Sequence, residues 1–177
     1  MQNDTPFWSK LDIAALIGSD DMGAILLAAC PGTRRHGDTT DSDIEHDVQR
    51  LATVGASFML TLIEPHDRVR LGVTALDDIV INAGLERASF PIKDRNIPRC
   101  DQTAELNDLL DDLEARIRSG QTIAIHCQAG LGRTGMIAGI LLCRFGIDSD
   151  AAIMAIRQVR PGSIETSAQE DFVRNWG

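Results

Sequence analysis

The chain has no tyrosine and only two lysines, Lys10 and Lys93, among its 177 residues, and its formal net charge is −9. A sequence-independent grip on nucleic acid needs clustered basic residues, so this composition argues against a nucleic-acid partner. The same shortage of positive charge disfavours attraction to anionic membrane surfaces. Any basic character that binds a substrate must be local, and the candidates are three arginine pairs: Arg34 with Arg35, Arg68 with Arg70, and Arg95 with Arg99.

Long apolar runs and patterned cysteines are also lacking. No run approaches the roughly 20 residues that span a bilayer, and residues 1–10 do not form a secretory signal. The four cysteines stand at unpatterned spacing, unlike a disulfide framework. We therefore expect a soluble cytoplasmic protein with reduced cysteines. We expect no metal or other cofactor, because His36, His46 and His66 show no ligand spacing with the cysteines.

The length and the alternation of apolar patterns predict one α/β domain over residues 1–177. Short apolar runs predict buried strands at 24–29, 58–63, 88–92 and 122–126. Helical patterns run from 42 to 55, from 103 to 120, from 134 to 145 and from 149 towards 160, and a last one follows residue 166. Ser42 with Glu45, Thr103 and Thr166 are the predicted N-terminal caps. This order predicts a mainly parallel central sheet with helices on both faces.

The segment 123–135, which reads IAIHCQAGLGRTG, carries the chemistry of the chain. It is typical of a buried strand, a glycine-rich turn and then an apolar helix. At such a junction the loop amides and the first helix amides can point at one anion, with the helix dipole assisting. Gly130 and Gly132 permit the close backbone approach that this needs. The predicted phosphate-binding residues are Gln128, Ala129, Gly130, Leu131, Gly132 and Arg133.

Cys127 stands at the mouth of this loop, where oriented amides, a helix N-terminus and Arg133 favour its thiolate form. The planar guanidinium of Arg133 matches two phosphate oxygens, a geometry that lysine cannot reproduce. Thr134 can donate its hydroxyl to the sulfur when a thiophosphate intermediate breaks down. Cysteine followed six positions later by arginine is a weak signal alone, but the whole string between strand and helix is specific. The alternative is a buried cysteine in an ordinary glycine-rich turn.

The loop from Phe90 to Pro98, bracketed by prolines, supplies a proton donor for the leaving oxygen. Asp94 on this loop can lie over the anion site as a general acid. The alternative is that Asp94 only forms an Asx-type turn. His126 precedes the nucleophile, and we expect it to order the loop by a side-chain hydrogen bond. The remaining cysteines are interpreted as core or loop residues: Cys30, Cys100 and Cys143.

The string HCQAGLGRTG at 126–135 resembles the signature of protein tyrosine and dual-specificity phosphatases. The resemblance extends from residue 30 over nearly the whole remaining chain. It is nearest to the kinase-associated phosphatase, or cyclin-dependent kinase inhibitor 3-like, type. It implies Cys127 as nucleophile, Arg133 as phosphate binder, Asp94 as general acid and no metal cofactor. The implied substrates are phosphoproteins that carry phosphotyrosine, with phosphoserine and phosphothreonine as further targets.

Two departures from the family pattern affect these expectations. Glu165 stands where the family usually has a glutamine that positions the hydrolytic water, and Gln169 follows four residues on. A carboxylate cannot donate to a phosphate oxygen and would repel it, so we expect Gln169 to orient the water and Glu165 to point away or remain protonated. Without tyrosine the usual aromatic wall is lacking, which favours a shallow pocket open to phosphothreonine. Gln128 and Leu131 replace lysines that are common in phosphoinositide-specific relatives.

The sequence thus predicts a protein phosphatase that forms a phosphocysteine intermediate. One alternative is a phosphatase for phosphoinositides or other small phosphomonoesters. Another is a rhodanese-like or arsenate-reducing thiol enzyme, against which Asp94 and Thr134 argue. The last is a non-catalytic module that only binds phosphorylated partners. Glu165 leaves this alternative open, because a carboxylate at this position is compatible with slow hydrolysis of the phosphocysteine.

Overall fold

The computed structural model describes residues 7–33 and 38–176, which form a five-stranded mixed sheet with surrounding helices. The strands are β1 (Trp8–Asp12), β2 (Ala24–Ala28), β3 (Ala56–Thr61), β4 (Glu86–Ser89) and β5 (Thr122–His126). The helices are α1 (Ile13–Ile17), α2 (Asp41–Thr53), α3 (Pro65–Arg70), α4 (Leu76–Asn82), α5 (Thr103–Arg118), α6 (Gly132–Arg144), α7 (Ser149–Val159) and α8 (Ser167–Arg174). The sheet order is β1-β2-β5-β3-β4; β1 is antiparallel to β2, and the other pairs are parallel.

The central strands are buried on both faces. Every residue of β2 is buried, and so is every residue of β5 after Thr122. Since successive side chains of a strand point to opposite faces, this burial requires cover on both sides of the sheet. The predicted α/β class and the predicted layers are therefore confirmed. Helix α6 is buried from Gly132 to Leu142, as its apolar sequence indicated, and none of the described helices is long and apolar enough to cross a membrane.

Strand β5 lies between β2 and β3, and their registers bring three carboxyl ends together. His126 aligns with Ala28 of β2 on one side and with Thr61 of β3 on the other. Ligand sites of parallel α/β sheets lie beyond the carboxyl ends of the strands, where the strand order reverses. The segment after His126 occupies this place.

Four strands predicted from apolar runs are present, with shifted ends. Strand β3 begins two residues earlier than predicted, and the strand predicted at 88–92 occurs as Glu86–Ser89. Strand β1 was not predicted because it lies at the edge of the sheet, where WSKLD alternates between buried and exposed residues. The short helices α1, α3 and α4 were also missed, since none exceeds two turns.

One predicted helix cap is confirmed and two are wrong. Thr166 accepts a hydrogen bond from the Gln169 N–H at 3.2 Å, as predicted. Helix α2 is instead capped by Thr40 with Asp43, so the predicted box of Ser42 and Glu45 is two residues too late. Thr103 is the first residue within α5, because a 3₁₀ turn at Cys100–Gln102 already starts the helical path.

Candidate active site

The loop between β5 and α6 has a backbone that glycine makes possible. Gly130 has φ +72°, and a β-carbon there would overlap the carbonyl oxygen of Ala28. At Gly132, a β-carbon would overlap the carboxylate of Glu165. Both glycines thus let the loop approach neighbouring backbone or side chains closely.

Three consecutive carbonyls of the loop accept hydrogen bonds from outside it. The Cys30 N–H donates to the Gln128 oxygen at 2.9 Å. Arg160, which is buried at the end of α7, donates from Nη2 to Ala129 at 3.0 Å and from Nε to Gly130 at 2.7 Å. Within residues 7–33 and 38–176, the N–H groups of residues 128–133 donate no backbone hydrogen bond. These N–H groups remain available to an anion.

Cys127 follows β5 directly and is buried, with 3% of its surface exposed. It lines a pocket of about 170 Å³ with Gln128, Ala129, Arg133, Asp94, Arg95 and Glu165. The predicted nucleophile, phosphate binder and general acid therefore share one pocket. Their roles stay predictions.

The Arg133 guanidinium is almost fully buried and spans the floor of the site. Its Nη1 donates to the Ile92 carbonyl at 3.0 Å and lies 3.5 Å from the Asp67 carboxylate. Its Nη2 lies 2.8 Å from Asp94 Oδ1 without forming an aligned hydrogen bond. Burial raises the pKa of Asp67, but hydrogen bonds from Arg70 and the backbone and the charge of Arg133 outweigh it and lower the pKa. Asp67 thus stays ionised and fixes Arg133.

The loop that carries Asp94 is tied down at several points. Gln102 Nε2 donates to the Pro91 carbonyl at 3.2 Å. On the other side of Asp94, Gln169 Nε2 donates to the Asn96 carbonyl at 3.2 Å. The Asp94 side chain itself is 57% exposed and faces Arg133. The Asx-turn alternative is not seen, because the hydrogen bond here runs from Asn96 Nδ2 to the Asp94 carbonyl, at 3.5 Å.

His126 is fully buried and bridges two strands. Its Nδ1 lies 3.1 Å from the Cys127 carbonyl oxygen, and its Nε2 lies 2.8 Å from Thr61 Oγ1. A carbonyl only accepts, so Nδ1 carries the proton and the Thr61 hydroxyl donates to Nε2. Burial lowers the pKa of His126 to about 4, so the ring is neutral. This geometry supports the predicted loop-ordering role, with the bond running to the backbone of the nucleophile.

Thr134, in the first turn of α6, is fully buried. Its hydroxyl has no hydrogen-bond partner in the part of the chain that the structure describes. A buried hydroxyl without a partner is unfavourable by about 1–3 kcal/mol. The predicted donation to the Cys127 sulfur would satisfy it and stays a prediction.

The structure reverses the placement expected for Glu165 and Gln169. Glu165 is exposed and lines the pocket with Cys127, so of its two expected arrangements the structure does not show the one that points away, and the other, a protonated carboxyl, stays a prediction. Gln169 is fully buried, and its amide is committed to backbone: Oε1 accepts from the Glu165 N–H at 3.0 Å, and Nε2 donates to Asn96. Thr166 caps α8, and Gln169 lies on the buried face of that helix.

The other sequence candidates are dispersed. Arg68 is paired with Asp77 and Arg99 with Asp101, whereas Arg70 donates to Gln128 Oε1 at 2.8 Å at the edge of the loop. Arg34, Arg35 and His36 lie outside the described residues.

All four cysteines are free. Cys30 is buried and Cys143 half-buried, whereas Cys100 is exposed. Burial, with a further contribution from the nearby Cys127, raises the pKa of Cys30 to about 12. Cys30 is therefore a core thiol that supports the loop through its backbone.

One described group of potential metal ligands, Glu64, His66 and Asp67, brings its ligand atoms within 4.8 Å of one another. Asp67 is already bonded to Arg70 and lies beside Arg133. These two positive charges oppose a cation there.

Sequence reasoning missed two side chains that hold the site. Arg160 was interpreted only as the end of a helix before Pro161, although it binds the loop carbonyls. Asp67 lies in a helix that was not predicted. Neither carries a local signal, because both act on residues far away in the sequence.

With this geometry in place, comparison with known proteins defines the class. Residues 36–173 match the family described as "PTP-SAK: Swiss Army Knife protein, DSP-PTPase phosphatase domain". This match covers well over half of the chain. The chain therefore belongs to the protein tyrosine and dual-specificity phosphatase family, as the motif indicated.

Individual relatives agree with this class. Protein tyrosine phosphatase domain-containing protein 1 of Danio rerio is 35% identical over 108 residues, which are 59% of this chain and 14% of that protein. Cyclin-dependent kinase inhibitor 3 of Homo sapiens is 23% identical over 137 residues, 76% of this chain and 63% of that protein. The chain thus spans less than two thirds of the length of these relatives.

Solved structures share the fold. Kinase associated phosphatase, crystallised with serine in place of its catalytic-site cysteine, superposes with a TM-score of 0.81 at 23% identity, covering 97% of this chain and 94% of that one. PTPMT1 in complex with PI(5)P gives a TM-score of 0.68 at 17% identity, covering 94% and 93%. The predicted kinase-associated phosphatase-like fold is confirmed.

Proposed function

We propose that this chain hydrolyses phosphomonoesters on proteins, phosphotyrosine first and phosphoserine or phosphothreonine as well, through a phosphocysteine intermediate. One observation carries the proposal. Cys127, Arg133 and Asp94 line the same small pocket, beside loop N–H groups that donate to no backbone carbonyl of residues 7–33 and 38–176. This combination suits a tetrahedral dianion and an incoming thiolate.

Binding begins with the phosphate entering the loop. Its oxygens accept from the N–H groups of residues 128–133 and from the Arg133 guanidinium. Arg133 is held by Ile92 and Asp67, so its position is set before the substrate arrives. This preorganisation favours the equatorial oxygens of the transition state, where negative charge is spread.

In the first chemical step the Cys127 thiolate attacks phosphorus. The S–P bond forms and the P–O bond to the leaving group breaks. Asp94, in its protonated form, gives its proton to the leaving oxygen. The 2.8 Å distance between Asp94 and Arg133 supports the position of the acid, beside the group that binds the phosphate.

In the second step water attacks the phosphocysteine. The O–P bond forms, the S–P bond breaks and the electron pair returns to Cys127, where the Thr134 hydroxyl, which has no partner among the described residues, can donate to the thiolate. Asp94, now ionised, takes the proton of the attacking water. Glu165 lines the pocket and can accept a second hydrogen bond from that water. We therefore assign water orientation to Glu165 and loop fastening to Gln169.

The proposed substrate class follows from the small pocket and the charge of the chain. A pocket of about 170 Å³ without tyrosine suits phosphothreonine as well as phosphotyrosine. The net charge of −9 and the neutral Gln128 and Leu131 disfavour a phosphoinositide in an anionic membrane. A thiolate nucleophile and four free cysteines suit a reducing compartment such as the cytoplasm.

Steady-state assays test the proposal directly. Phosphotyrosine and phosphothreonine peptides and dispersed phosphoinositides are compared as substrates, with phosphate release as the readout. Cys127→Ser is the control: its hydroxyl stays protonated, so turnover should be lost while inorganic phosphate still binds. Turnover in carefully purified Cys127→Ser would contradict the mechanism. Binding without turnover by the wild type would indicate a phospho-binding module, and faster hydrolysis of the lipids would replace the proposed substrate class.

A further inference from the structure

Most arginines in the described part of the chain lie beside a carboxylate. Ion pairs of 4.0 Å or less join α5 to β4, α6 to α5 and α8 to α7. Lys10, Lys93 and Arg95 differ, since none of them makes an ion pair with the residues that the structure describes. Two of these three flank the candidate general acid, Asp94. Among the described residues of this chain, whose net charge is −9, two cations that make no ion pair therefore lie on the acid loop.

Of these three residues, only Arg95 is among the residues that line the candidate active site. It lines the pocket of Cys127, whereas Lys93 is exposed on the same loop and is not among the pocket residues. Lys10 lies on the edge strand β1. Glu165 also lines the pocket, so an anion drawn to Arg95 would bind away from that carboxylate.

The backbone of Arg95 is in a conformation that favours glycine. Its φ is +58°, in the left-handed region, which is uncommon for a residue with a long side chain. Contacts from α8 and its capping residue hold this conformation: Thr166 Oγ1 donates to the Arg95 carbonyl at 3.5 Å, and Gln169 Nε2 donates to the next carbonyl at 3.2 Å. A left-handed backbone at an arginine beside the candidate active site motivates the hypothesis that its side chain has a function.

We propose that Arg95 binds a second acidic group of the substrate, a carboxylate or phosphate on a residue next to the one being dephosphorylated. This inference rests on the proposed function and narrows its substrates to acidic phosphopeptides. The exposed guanidinium can form a charge-assisted, two-pronged contact with such a group. The negative charge of the whole chain repels acidic peptides, so selection for them requires a local cation of this kind.

Matched peptides isolate this contact. Two phosphotyrosine peptides that differ only by glutamate or glutamine beside the phosphotyrosine are compared by their ratio of kcat/KM. We expect the wild type to prefer the glutamate peptide by about threefold to tenfold, the size of a charge-assisted contact at a partly exposed site. Arg95→Asn, which tolerates the left-handed backbone, should bring the ratio to about one, whereas Arg95→Lys should retain part of it. Added salt should lower the wild-type ratio.

The control variants separate local recognition from net charge. Lys10→Gln and Lys93→Gln change the net charge as much as Arg95→Asn does, and both should keep the wild-type ratio. Equal loss of preference in Lys10→Gln would overturn the proposal, because the preference for the glutamate peptide would then depend on the net charge of the chain. A wild-type ratio near one would also overturn the proposed role of Arg95. If both peptides are nevertheless hydrolysed in a Cys127-dependent way, the proposed phosphatase function would stand. If neither peptide is hydrolysed, both proposals fail. If the wild type hydrolyses multiply phosphorylated phosphoinositides faster than both peptides, and this preference is lost in Arg95→Asn, the group that Arg95 binds belongs to a lipid and the proposed acidic peptide is wrong.

Discussion

Arg160, at the end of α7, donates from its Nε to the carbonyl oxygen of Gly130 at 2.7 Å, although thirty residues separate the two in the sequence. Its Nη2 donates to the adjacent Ala129 carbonyl at 3.0 Å. A planar fork thus fixes two successive peptide groups of the phosphate-binding loop. The orientation of those peptides determines whether the loop N–H groups can face an anion.

Replacing Arg160 by methionine should therefore weaken both stability and phosphate binding. The buried carbonyl of Gly130 and the partly buried carbonyl of Ala129 would lose a charged donor, which should lower the free energy of unfolding by about 2–3 kcal/mol. Arg160→Lys should be intermediate, because an ammonium cannot serve both carbonyls as a fork. Urea unfolding gives the stability, and vanadate inhibition gives the affinity of the folded enzyme for an oxyanion. Unchanged vanadate affinity in folded Arg160→Met would show that the arginine only stabilises the fold.

Asp94→Asn should lower kcat on a phosphotyrosine peptide by about 10²–10⁴, the usual effect of removing a positioned general acid. The loss should be smaller with p-nitrophenyl phosphate, whose leaving group needs no proton. Asp101→Asn is a suitable control, because Asp101 is an exposed aspartate paired with Arg99 away from the pocket. Equal losses on both substrates would mean that Asp94 acts mainly by holding Arg133.

His126 should make the protein less stable in mild acid. Its pKa is about 4 in the folded protein and about 6.5 when unfolded, so between these values the unfolded chain binds more protons. The free energy of unfolding should therefore fall as the pH decreases from 6.5 to 4, by about 3 kcal/mol in all from this residue. Urea unfolding at a series of pH values measures this slope. His126→Gln should show a shallower slope over the same interval, and an identical slope would assign the effect to other groups.

The parts of the site that are local in sequence could be predicted. Strand β5, the glycine-rich turn and α6 are consecutive, and their apolar and glycine patterns act through the nearest residues. The approach of Asp94 to Arg133 was anticipated from the proline-bracketed loop and the resemblance to a known family. The central strands could be recognised as well, because burial on both faces leaves continuous apolar runs.

The features that depend on long-range packing could not be predicted. Arg160 binds carbonyls thirty residues away, and nothing in VRPG distinguishes it from an ordinary helix end. Strand β1 is short and half-exposed, so its pattern is weak. Thr166 caps α8, and Gln169 lies on the buried face of this helix whereas Glu165 lines the pocket. The cap was predicted, but the face that packs inward depends on tertiary contacts.

The last prediction concerns this pair. Hydrolysis of phosphocysteine needs a water held in line behind phosphorus, and Glu165 is one of the residues that line the pocket of Cys127. Glu165→Ala should therefore form the phosphocysteine normally and hydrolyse it slowly. Rapid mixing with p-nitrophenyl phosphate should show a burst equal to the enzyme concentration, followed by slow turnover.

Gln169→Ala should behave differently, because the Gln169 amide joins the Glu165 N–H to the Asn96 carbonyl and so connects α8 to the acid loop. Its loss should loosen the loop that carries Asp94 and slow the first step, without accumulation of the phosphoenzyme. Glu165→Gln restores the amide that the family usually has at this place, and it should hydrolyse the intermediate at least as fast as the wild type, since an amide can donate to the phosphate and accept from water. A burst in Gln169→Ala together with none in Glu165→Ala would show that Gln169, and not Glu165, orients the hydrolytic water. That outcome would require the amide to leave both backbone partners during turnover.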